Sequence, residues 1–304
     1  MRIGFMVGAG TEKDNSLVSA INFSKRVEQL GFDNVWMANI FGYDAMTMMA
    51  AVGRETTTLG VGTAVIPTYP RHPMAMAQQA MTTAAMSNGR FALGIGLSHK
   101  IVIENMLGMS YDKPAKHMRE YLDVLIPLLK GENVSYQGEQ YNVHCQLDVA
   151  DKFEIPVIVA ALGPVMLKLA GQMTAGTSTW MTGVDTLEKH IIPTITAATN
   201  DAGRAAPRVV AGLPIVLTSD VDAAKAKIDK ALAVYGNLPS YRAMLDKEGS
   251  EGPSGVALLG DETALRKKIQ QLRDIGVTDF NAAVMNVEEG AFERTLAFLQ
   301  SELS

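Results

Sequence analysis

Short apolar runs alternate with longer amphipathic segments along most of the 304-residue chain, and this alternation is the strongest constraint on its fold. The runs are nearly continuous, which is typical of parallel strands buried on both faces. The predicted strands are 3–8, 34–38, 58–66, 90–96, 156–162, 177–181, 208–217 and 278–284. A doubly wound sheet also alternates in this way, but eight strand–helix units at this length favour an α/β fold of the (β/α)8 TIM-barrel type.

The segments between the strands predict helices and two insertions. The predicted helices are 16–30, 44–55, 72–87, 112–130, 164–174, 185–202, 220–235, 261–275 and 288–302. Ser16, Asp44 and Asp220 are expected to cap three of them, because short polar side chains accept hydrogen bonds from the free N–H groups of a first helical turn. Residues 133–145 predict a surface hairpin, and residues 236–255, rich in Gly, Pro and Ser, predict a long loop that can include a short helix. We expect a single barrel domain over residues 1–304.

Composition excludes several classes of function. The net charge of −5 and the lack of a basic patch argue against nucleic acid and anionic membranes as partners. No apolar run approaches the roughly 18 residues of a membrane span. Cys145 is the single cysteine, so the chain forms no internal disulfide and a reducing, cytoplasmic location is expected. No spacing of His, Cys, Asp or Glu predicts a metal site, and no G-x-S-x-G elbow indicates a hydrolase.

The third predicted strand is the most informative segment for function. Active sites of (β/α)8 barrels lie at the C-terminal ends of the strands. Here the run LGVGTAVIPTYPRHP (59–73) places two glycines within the strand and three prolines just after it. Glycine inside a strand often marks a bulge or a close approach of another group to the backbone. A rigid barrel corner without any ligand is the other interpretation of the same residues.

A series of motifs in order resembles the bacterial luciferase-like superfamily, and most closely its branch that uses the deazaflavin coenzyme F420. The first three are GVGTAVIPTYPRHP, MSNGR (86–90) and FALGIG (91–96). The similarity continues through YDKPAKHMREYL (111–122), GEQY (138–141), PVIVAALGPVMLKLAG (156–171) and LGDETALRKKIQQLRDIGVTDF (259–280). The resemblance implies a flavin-type ring in the barrel mouth, a small-molecule substrate and a homodimer. It also implies a non-prolyl cis peptide at Ala64-Val65, with Thr63 beside it, behind the ring.

The resemblance implies further cofactor contacts. The phosphate is expected where a loop opens a helix, since the N–H groups of a helix N-terminus attract anions; these residues are Leu162, Gly163 and Pro164, with Gly176 and Thr177 nearby. Gly96, Ser98 and His99 stand where family members contact the cofactor. Lys100, Lys113 and Lys116 either attract the glutamate tail of the deazaflavin or form a solvated face.

The sequence departs from the sugar-phosphate dehydrogenases of this branch. Where those enzymes carry an Asp-His pair, this chain has Asn39 and Ile40, and where they carry an acid it has Leu97. We therefore do not predict sugar dehydrogenation. The candidate proton donors are His99, Tyr43, Tyr69 or a water held by Asn39. Two alternatives stay open: an FMN-dependent two-component monooxygenase, and a cofactor-binding relative without catalytic activity.

Overall fold

Eight parallel strands close into a barrel in the computed structural model, which describes residues 1–8 and 16–303. The strands are β1 (Arg2–Val7), β2 (Asn34–Met37), β3 (Gly60–Thr63), β4 (Ile66–Pro67), β5 (Phe91–Gly96), β6 (Val134–Gln137), β7 (Asn142–Cys145), β8 (Val157–Ala160), β9 (Gly176–Trp180), β10 (Arg208–Leu217), β11 (Leu258–Gly260) and β12 (Asp279–Val284). The order around the barrel is β1, β2, β3, β5, β8, β9, β10 and β12, and β12 pairs with β1 to close it. The predicted (β/α)8 barrel is confirmed.

Helices surround the barrel and connect its strands. They are α1 (Leu17–Gln29), α2 (Ala45–Glu55), α3 (Pro73–Met86), α4 (Pro114–Leu129), α5 (Pro164–Met173), α6 (Val184–Thr186), α7 (Ile192–Asp201), α8 (Val221–Ala231), α9 (Ala233–Asn237), α10 (Pro239–Glu248), α11 (Glu262–Asp274) and α12 (Ala291–Ser301). The three predicted caps are confirmed, because the side chains of Ser16, Asp44 and Asp220 each accept a hydrogen bond from the N–H three residues on. No helix in the described residues has the length and apolar character to cross a membrane.

The predicted hairpin is confirmed, and the short helix that the segment 236–255 could include is present, but more of the segment is helical than the predicted long loop implied. Strands β6 and β7 pair antiparallel, with Val134 opposite Cys145. The loop region instead contains the ten-residue helix α10 and a 3₁₀ turn at Pro253–Val256. Pro239 stands at the start of α10, where its missing N–H costs no hydrogen bond, and Gly249 ends the helix with a left-handed φ of 72°. Proline and glycine here delimit a helix.

Two predicted helices are interrupted. The helix predicted at 220–235 is divided at Leu232 into α8 and α9. The helix predicted at 185–202 contains a π-helical turn, Leu187–Ile191, between α6 and α7. Pro193 follows this turn and cannot donate to the carbonyl of Lys189, so the wider turn accommodates a proline that would disrupt a regular helix.

Two cores hold the barrel together. The outward-facing residues of the strands pack against the helices in one large cluster, whereas Trp36, Ala92, Ile158 and Val210 form a separate cluster inside the barrel. The N-terminal end of the barrel is closed by polar groups around the fully buried Asp279. Arg208 donates two hydrogen bonds to this carboxylate, at 2.8 and 2.6 Å, and Arg2 donates one at 2.9 Å. The opposite, C-terminal end forms the mouth.

Candidate functional site

A bulge interrupts the third barrel strand at the mouth. Gly62 lies opposite Ala92 and Ile66 lies opposite Ile95, so four steps along β3 and β4 correspond to three steps along β5. The one extra residue defines a β-bulge. The peptide bond between Ala64 and Val65 is cis, at the position that the resemblance implies.

Hydrogen bonds connect the bulge to the end of β2. The Ala64 N–H donates to the carbonyl of Met37 at 2.8 Å, and the Asn39 N–H donates to the carbonyl of Val65 at 3.2 Å. Asn39 is itself fixed, because its side-chain Oδ1 accepts from the Ala45 N–H at 3.0 Å at the start of α2. In the described part of the chain no partner is seen for the Asn39 amide nitrogen, which leaves one donor at the mouth.

Small residues form the floor of the mouth beside the bulge. A Cβ atom on Gly96 would lie 2.7 Å from Val65 Cγ2 and 3.1 Å from Ala160 Cβ, so only glycine allows the bulge to lie this close to β5 and β8. Ala38, Ala64 and Ala160 are half-buried at the same level. The floor is therefore shallow and apolar, a surface on which a flat ring can rest.

Ser98 and His99 follow β5 at the rim of the mouth. Ser98 has a left-handed φ of 59°, uncommon for a residue other than glycine, and its carbonyl accepts from the Tyr111 hydroxyl at 3.4 Å. His99 is half-buried, and its Nδ1 lies 3.5 Å from the Ser240 hydroxyl. Burial lowers the pKa of His99 below its ordinary value, so its imidazole is neutral at pH 7.

Aromatic side chains of α9 and α10 extend across one side of the mouth. The Tyr241 ring lies 5.3 Å from the His99 ring and 5.7 Å from the Tyr235 ring, and the Tyr235 ring lies 6.3 Å from the Trp180 ring. We call these four side chains the aromatic wall. It runs from the end of β5 to the end of β9.

Glu248, at the end of α10, holds this helix in place. Its carboxylate accepts hydrogen bonds from the N–H groups of Asp185 and Thr186, at 3.1 and 2.8 Å, and from the Thr186 hydroxyl at 2.5 Å. A Cβ on Gly183 would overlap the Glu248 side chain, so the turn after β9 and the end of α10 are in close contact. The aromatic wall is therefore attached to the barrel at both ends.

The N-terminus of α5 presents free donors at the mouth. Gly163 is the N-cap residue and supplies no capping side chain, and nothing lies within 4 Å of where its Cβ would be. In the described part of the chain, the N–H groups of Gly163, Val165 and Met166 have no hydrogen-bond partner. No acidic residue occupies the first turn. Free N–H groups and the positive end of a helix dipole suit an anion.

His190 fixes the peptide before this helix. His190 lies in the π-helical turn Leu187–Ile191, and its Nε2 donates a hydrogen bond to the carbonyl of Leu162 at 2.8 Å. Because a trans peptide is planar, the Gly163 N–H of the same peptide points away from His190. The hydrogen bond therefore fixes the direction in which one of the free donors points.

The structure does not bring every predicted residue to the mouth. Gly176 and Thr177 begin β9, four and three residues before Trp180, so at a rise of about 3.3 Å per residue they lie roughly 13 and 10 Å from it. The Thr177 hydroxyl is buried and donates to the carbonyls of Val159 and Ala161. Likewise the buried Thr63 hydroxyl makes hydrogen bonds with the N–H and the carbonyl of Gly94. The Thr63 and Thr177 hydroxyls therefore bond to strand backbone, and cofactor contacts of Thr63, Gly176 and Thr177 stay a prediction.

Tyr69 packs within a group of aromatic rings that follows β4. Its ring stacks on His117, with the centroids 3.9 Å apart, and its buried hydroxyl has no partner among the described residues. Both rings line a side cavity of about 310 Å³ beneath the β6–β7 hairpin. Burial raises the pKa of Tyr69 well above its ordinary value. The buried hydroxyl and its raised pKa disfavour proton transfer from Tyr69, whose catalytic role stays a prediction.

The three predicted tail-binding lysines have acidic partners. Lys113 and Lys116 both form ion pairs with Glu139 of the hairpin, and Lys100 lies 3.8 Å from Glu104. These contacts favour the interpretation of a solvated, charge-balanced face. Among the described residues no three His, Cys, Asp or Glu side chains form a group able to hold a metal ion.

Comparison with known proteins identifies the family. The family model for luciferase-like monooxygenases matches residues 1–279. The chain belongs to this family. It is 25% identical over 290 residues to the 5,10-methylenetetrahydromethanopterin reductase of Methanolobus tindarius, covering 86% of this chain and 88% of the relative. The chain is thus an enzyme of the luciferase-like class.

Solved structures of the luciferase-like class share the fold. The coenzyme F420-dependent tetrahydromethanopterin reductase of Methanopyrus kandleri superposes with a TM-score of 0.82 at 20% identity, covering 99% of this chain and 98% of that chain. The oxygenating constituent of 3,6-diketocamphane monooxygenase from Pseudomonas putida, in complex with FMN, superposes with a TM-score of 0.79 at 15% identity, covering 99% and 97%.

Sequence reasoning missed three residues at the mouth of this luciferase-like barrel. Tyr235 and Tyr241 fall in segments predicted as the end of a helix and a loop, and nothing local indicates that they meet His99. His190 falls within a predicted helix, where its contact with Leu162 depends on the π-helical turn. The proline at position 193 is the one local signal that could have indicated an irregular turn.

Proposed function

We propose that this chain is a coenzyme F420-dependent oxidoreductase that transfers a hydride between C5 of the deazaflavin ring and a small organic substrate. One observation carries the proposal: the mouth combines an apolar floor beside a strand bulge with an anion site at the N-terminus of α5. A flat ring and a phosphate belonging to one molecule would use both. The Methanolobus relative is a reductase and the Methanopyrus structure is that of a coenzyme F420-dependent reductase, and both support a reductase of this class.

The residues at the mouth fit the ring. Ala64, Val65 and Gly96 would support one face of it, and the free Asn39 amide nitrogen would donate to a ring carbonyl. When bound, the deazaflavin supplies the two-electron chemistry, and the chain supplies position and a dry, apolar surface. The open space over Gly163, with its free N–H donors, would hold the phosphate.

His99 is the residue that we propose for proton transfer. It lies on the rim beside Ser98, and a reduction of a C=C, C=N or C=O bond needs a proton at one end of the bond. Ile40 and Leu97 cannot supply one, and the Tyr69 hydroxyl is buried and has a raised pKa. Tyr43, an exposed residue between β2 and α2, is the second choice. Neutral His99 can accept a proton from solvent and deliver it to substrate.

The test is turnover of reduced F420 with a panel of uncharged ketones, enones and imines, followed at 420 nm under argon. The proposal expects at least one compound to be reduced. His99→Gln should lower that rate at least tenfold, whereas His144→Gln, which alters an exposed hairpin histidine, should leave it unchanged. The proposal would be excluded if no compound oxidised the deazaflavin under argon and if, in a separate aerobic assay, the chain consumed oxygen with reduced FMN.

A second candidate is an FMN-dependent two-component monooxygenase. The FMN-bound structure from Pseudomonas putida favours it, because that protein has the same fold. Reduced FMN reacts with oxygen and reduced deazaflavin does not, so oxygen consumption separates the two candidates. A cofactor-binding relative without activity would bind F420 and reduce no member of the panel.

A further inference from the structure

We infer that the substrate of this mouth is a flat, uncharged molecule that packs against the aromatic wall of Trp180, Tyr235, Tyr241 and His99. The inference rests on the proposed function for the reaction, but the recognition itself depends only on residues of the chain. The bulge lies on β3 and Trp180 lies on β9, three strands further around a barrel of eight. The wall therefore faces the bulge across the mouth.

The wall is available for binding. Tyr241 is only partly buried and is not packed against either hydrophobic core cluster. Trp180 and Tyr235 touch the main core on one side and remain partly exposed on the other. Neighbouring rings are tilted by 57° to 76° to one another, so the wall offers both ring faces and ring edges. Aromatic ligands pack well on such surfaces.

The wall carries no charge at neutral pH. Burial lowers the pKa of His99, and burial raises the pKa of Tyr235 and of Tyr241. Ile40 after β2 is an exposed apolar residue, and Leu97 after β5 is apolar and packs partly against the main core. A carboxylate or phosphate placed between these groups would meet hydroxyl and N–H donors but no cationic side chain of the wall to offset the loss of its water, which is costly. An uncharged ring system loses little on the same transfer.

The chain contains its own reporter for the test. Trp36 and Trp180 are its two tryptophans. Trp36 is fully buried inside the barrel under the Arg208 guanidinium, so quenching by a ligand at the mouth reports on Trp180. Naphthalene-2-carboxamide and 2-naphthoate form a matched pair of probes, similar in shape and different in charge. Each is titrated into the full chain with and without F420.

The inference predicts that the carboxamide binds at least tenfold more tightly than the carboxylate. Tyr241→Leu should weaken carboxamide binding at least fivefold, whereas Tyr241→Phe, which keeps the ring, should stay within twofold of the native chain. Trp180→Phe should abolish the quenching signal. Equal or tighter binding of 2-naphthoate, or no binding of either probe up to millimolar concentration, would overturn the inference.

The same titrations separate this inference from the proposed function. Failure of F420 to bind, with the carboxamide preference intact, would refute the cofactor assignment and leave the wall as a binding surface. A Tyr241→Leu variant that loses F420 affinity but keeps carboxamide affinity would show that the wall contacts the cofactor, and would overturn the inference. Circular dichroism of each variant confirms that it is folded.

Discussion

Thr63 and Gly94 are joined by two reciprocal hydrogen bonds at the base of the bulge. The Thr63 hydroxyl accepts from the Gly94 N–H at 2.9 Å and donates to the Gly94 carbonyl at 2.8 Å. Both residues are fully buried, and a Cβ on Gly94 would overlap the Thr63 carbonyl oxygen. One side chain thus replaces the ladder hydrogen bonds that β3 and β5 lose where the extra residue enters.

Thr63→Val should lower the free energy of unfolding by about 1–3 kcal/mol, because it leaves a buried N–H and a buried carbonyl without partners. Urea denaturation measures the change. Thr82→Val is the matched control, since the exposed Thr82 hydroxyl donates only to the Gln78 carbonyl of its own helix. The control should shift stability by less than about 0.5 kcal/mol. Equal effects of the two substitutions would refute the role given to Thr63.

Asp279→Asn should be among the most destabilising substitutions in the barrel. Burial opposes ionisation of this carboxyl, but the hydrogen bond and charge of Arg208, together with the charge of Arg2, hold its pKa below the ordinary value. Neutralising it leaves the Arg208 guanidinium largely buried and uncompensated, at a cost of about 3–5 kcal/mol. Glu293→Gln, which breaks an exposed pair with Arg26, should cost far less. Because Asp279 lies at the far end of the barrel, the F420 affinity of folded protein should not change.

Stability should fall as the solution is acidified below neutral pH, in part through His117. Burial lowers the pKa of this imidazole, opposed by Gln140 and Glu120. The Thr68 hydroxyl and the Gln140 side-chain carbonyl contact its two ring nitrogens, at 2.9 and 3.1 Å, and suit the neutral ring. A folded-state pKa below the unfolded value of about 6.5 gives stability that is present above pH 6.5 and is lost as the pH falls through the folded value.

His117→Gln should therefore flatten the dependence of unfolding free energy on pH between 7 and 5. His144→Gln should leave the slope unchanged, because His144 is exposed. Urea midpoints at half-unit pH steps supply the comparison. A native slope that is retained in His117→Gln would show that other groups cause the acid sensitivity.

His190→Ala should weaken F420 binding about tenfold while leaving unchanged the affinity for the deazaflavin nucleoside that lacks phosphate and tail. Without the hydrogen bond from His190, the peptide between Leu162 and Gly163 can rotate, and the Gly163 N–H is no longer held toward the anion site. A purely structural role for His190 would weaken both ligands equally. His190→Gln, whose amide can still donate to the Leu162 carbonyl, should recover most of the affinity. Fluorescence titration of each ligand gives the ratio.

The barrel could be predicted from the sequence because strands that are buried on both faces are nearly continuous apolar runs, which stand out along the chain. Predicted strand limits at 34–38 and 208–217 agree with β2 and β10 to within one residue. The limits of helix α10 were not predicted, because Pro and Gly, here Pro239 and Gly249, occur both at helix ends and in loops. The positions of Gly176 and Tyr69 depend on strand register and on packing between distant segments, which local patterns do not encode. For the same reason the aromatic wall could not be predicted, since His99 and Tyr241 are 142 positions apart in the chain.

The most direct test of the central claim, that the mouth holds a deazaflavin through its floor and its anion site, is an equilibrium titration of the purified chain with F420 and with FMN under identical conditions. We predict a dissociation constant for F420 at least tenfold lower than that for FMN, about 1.4 kcal/mol or more of preference. Tighter binding of FMN, or no binding of either molecule, would contradict the account.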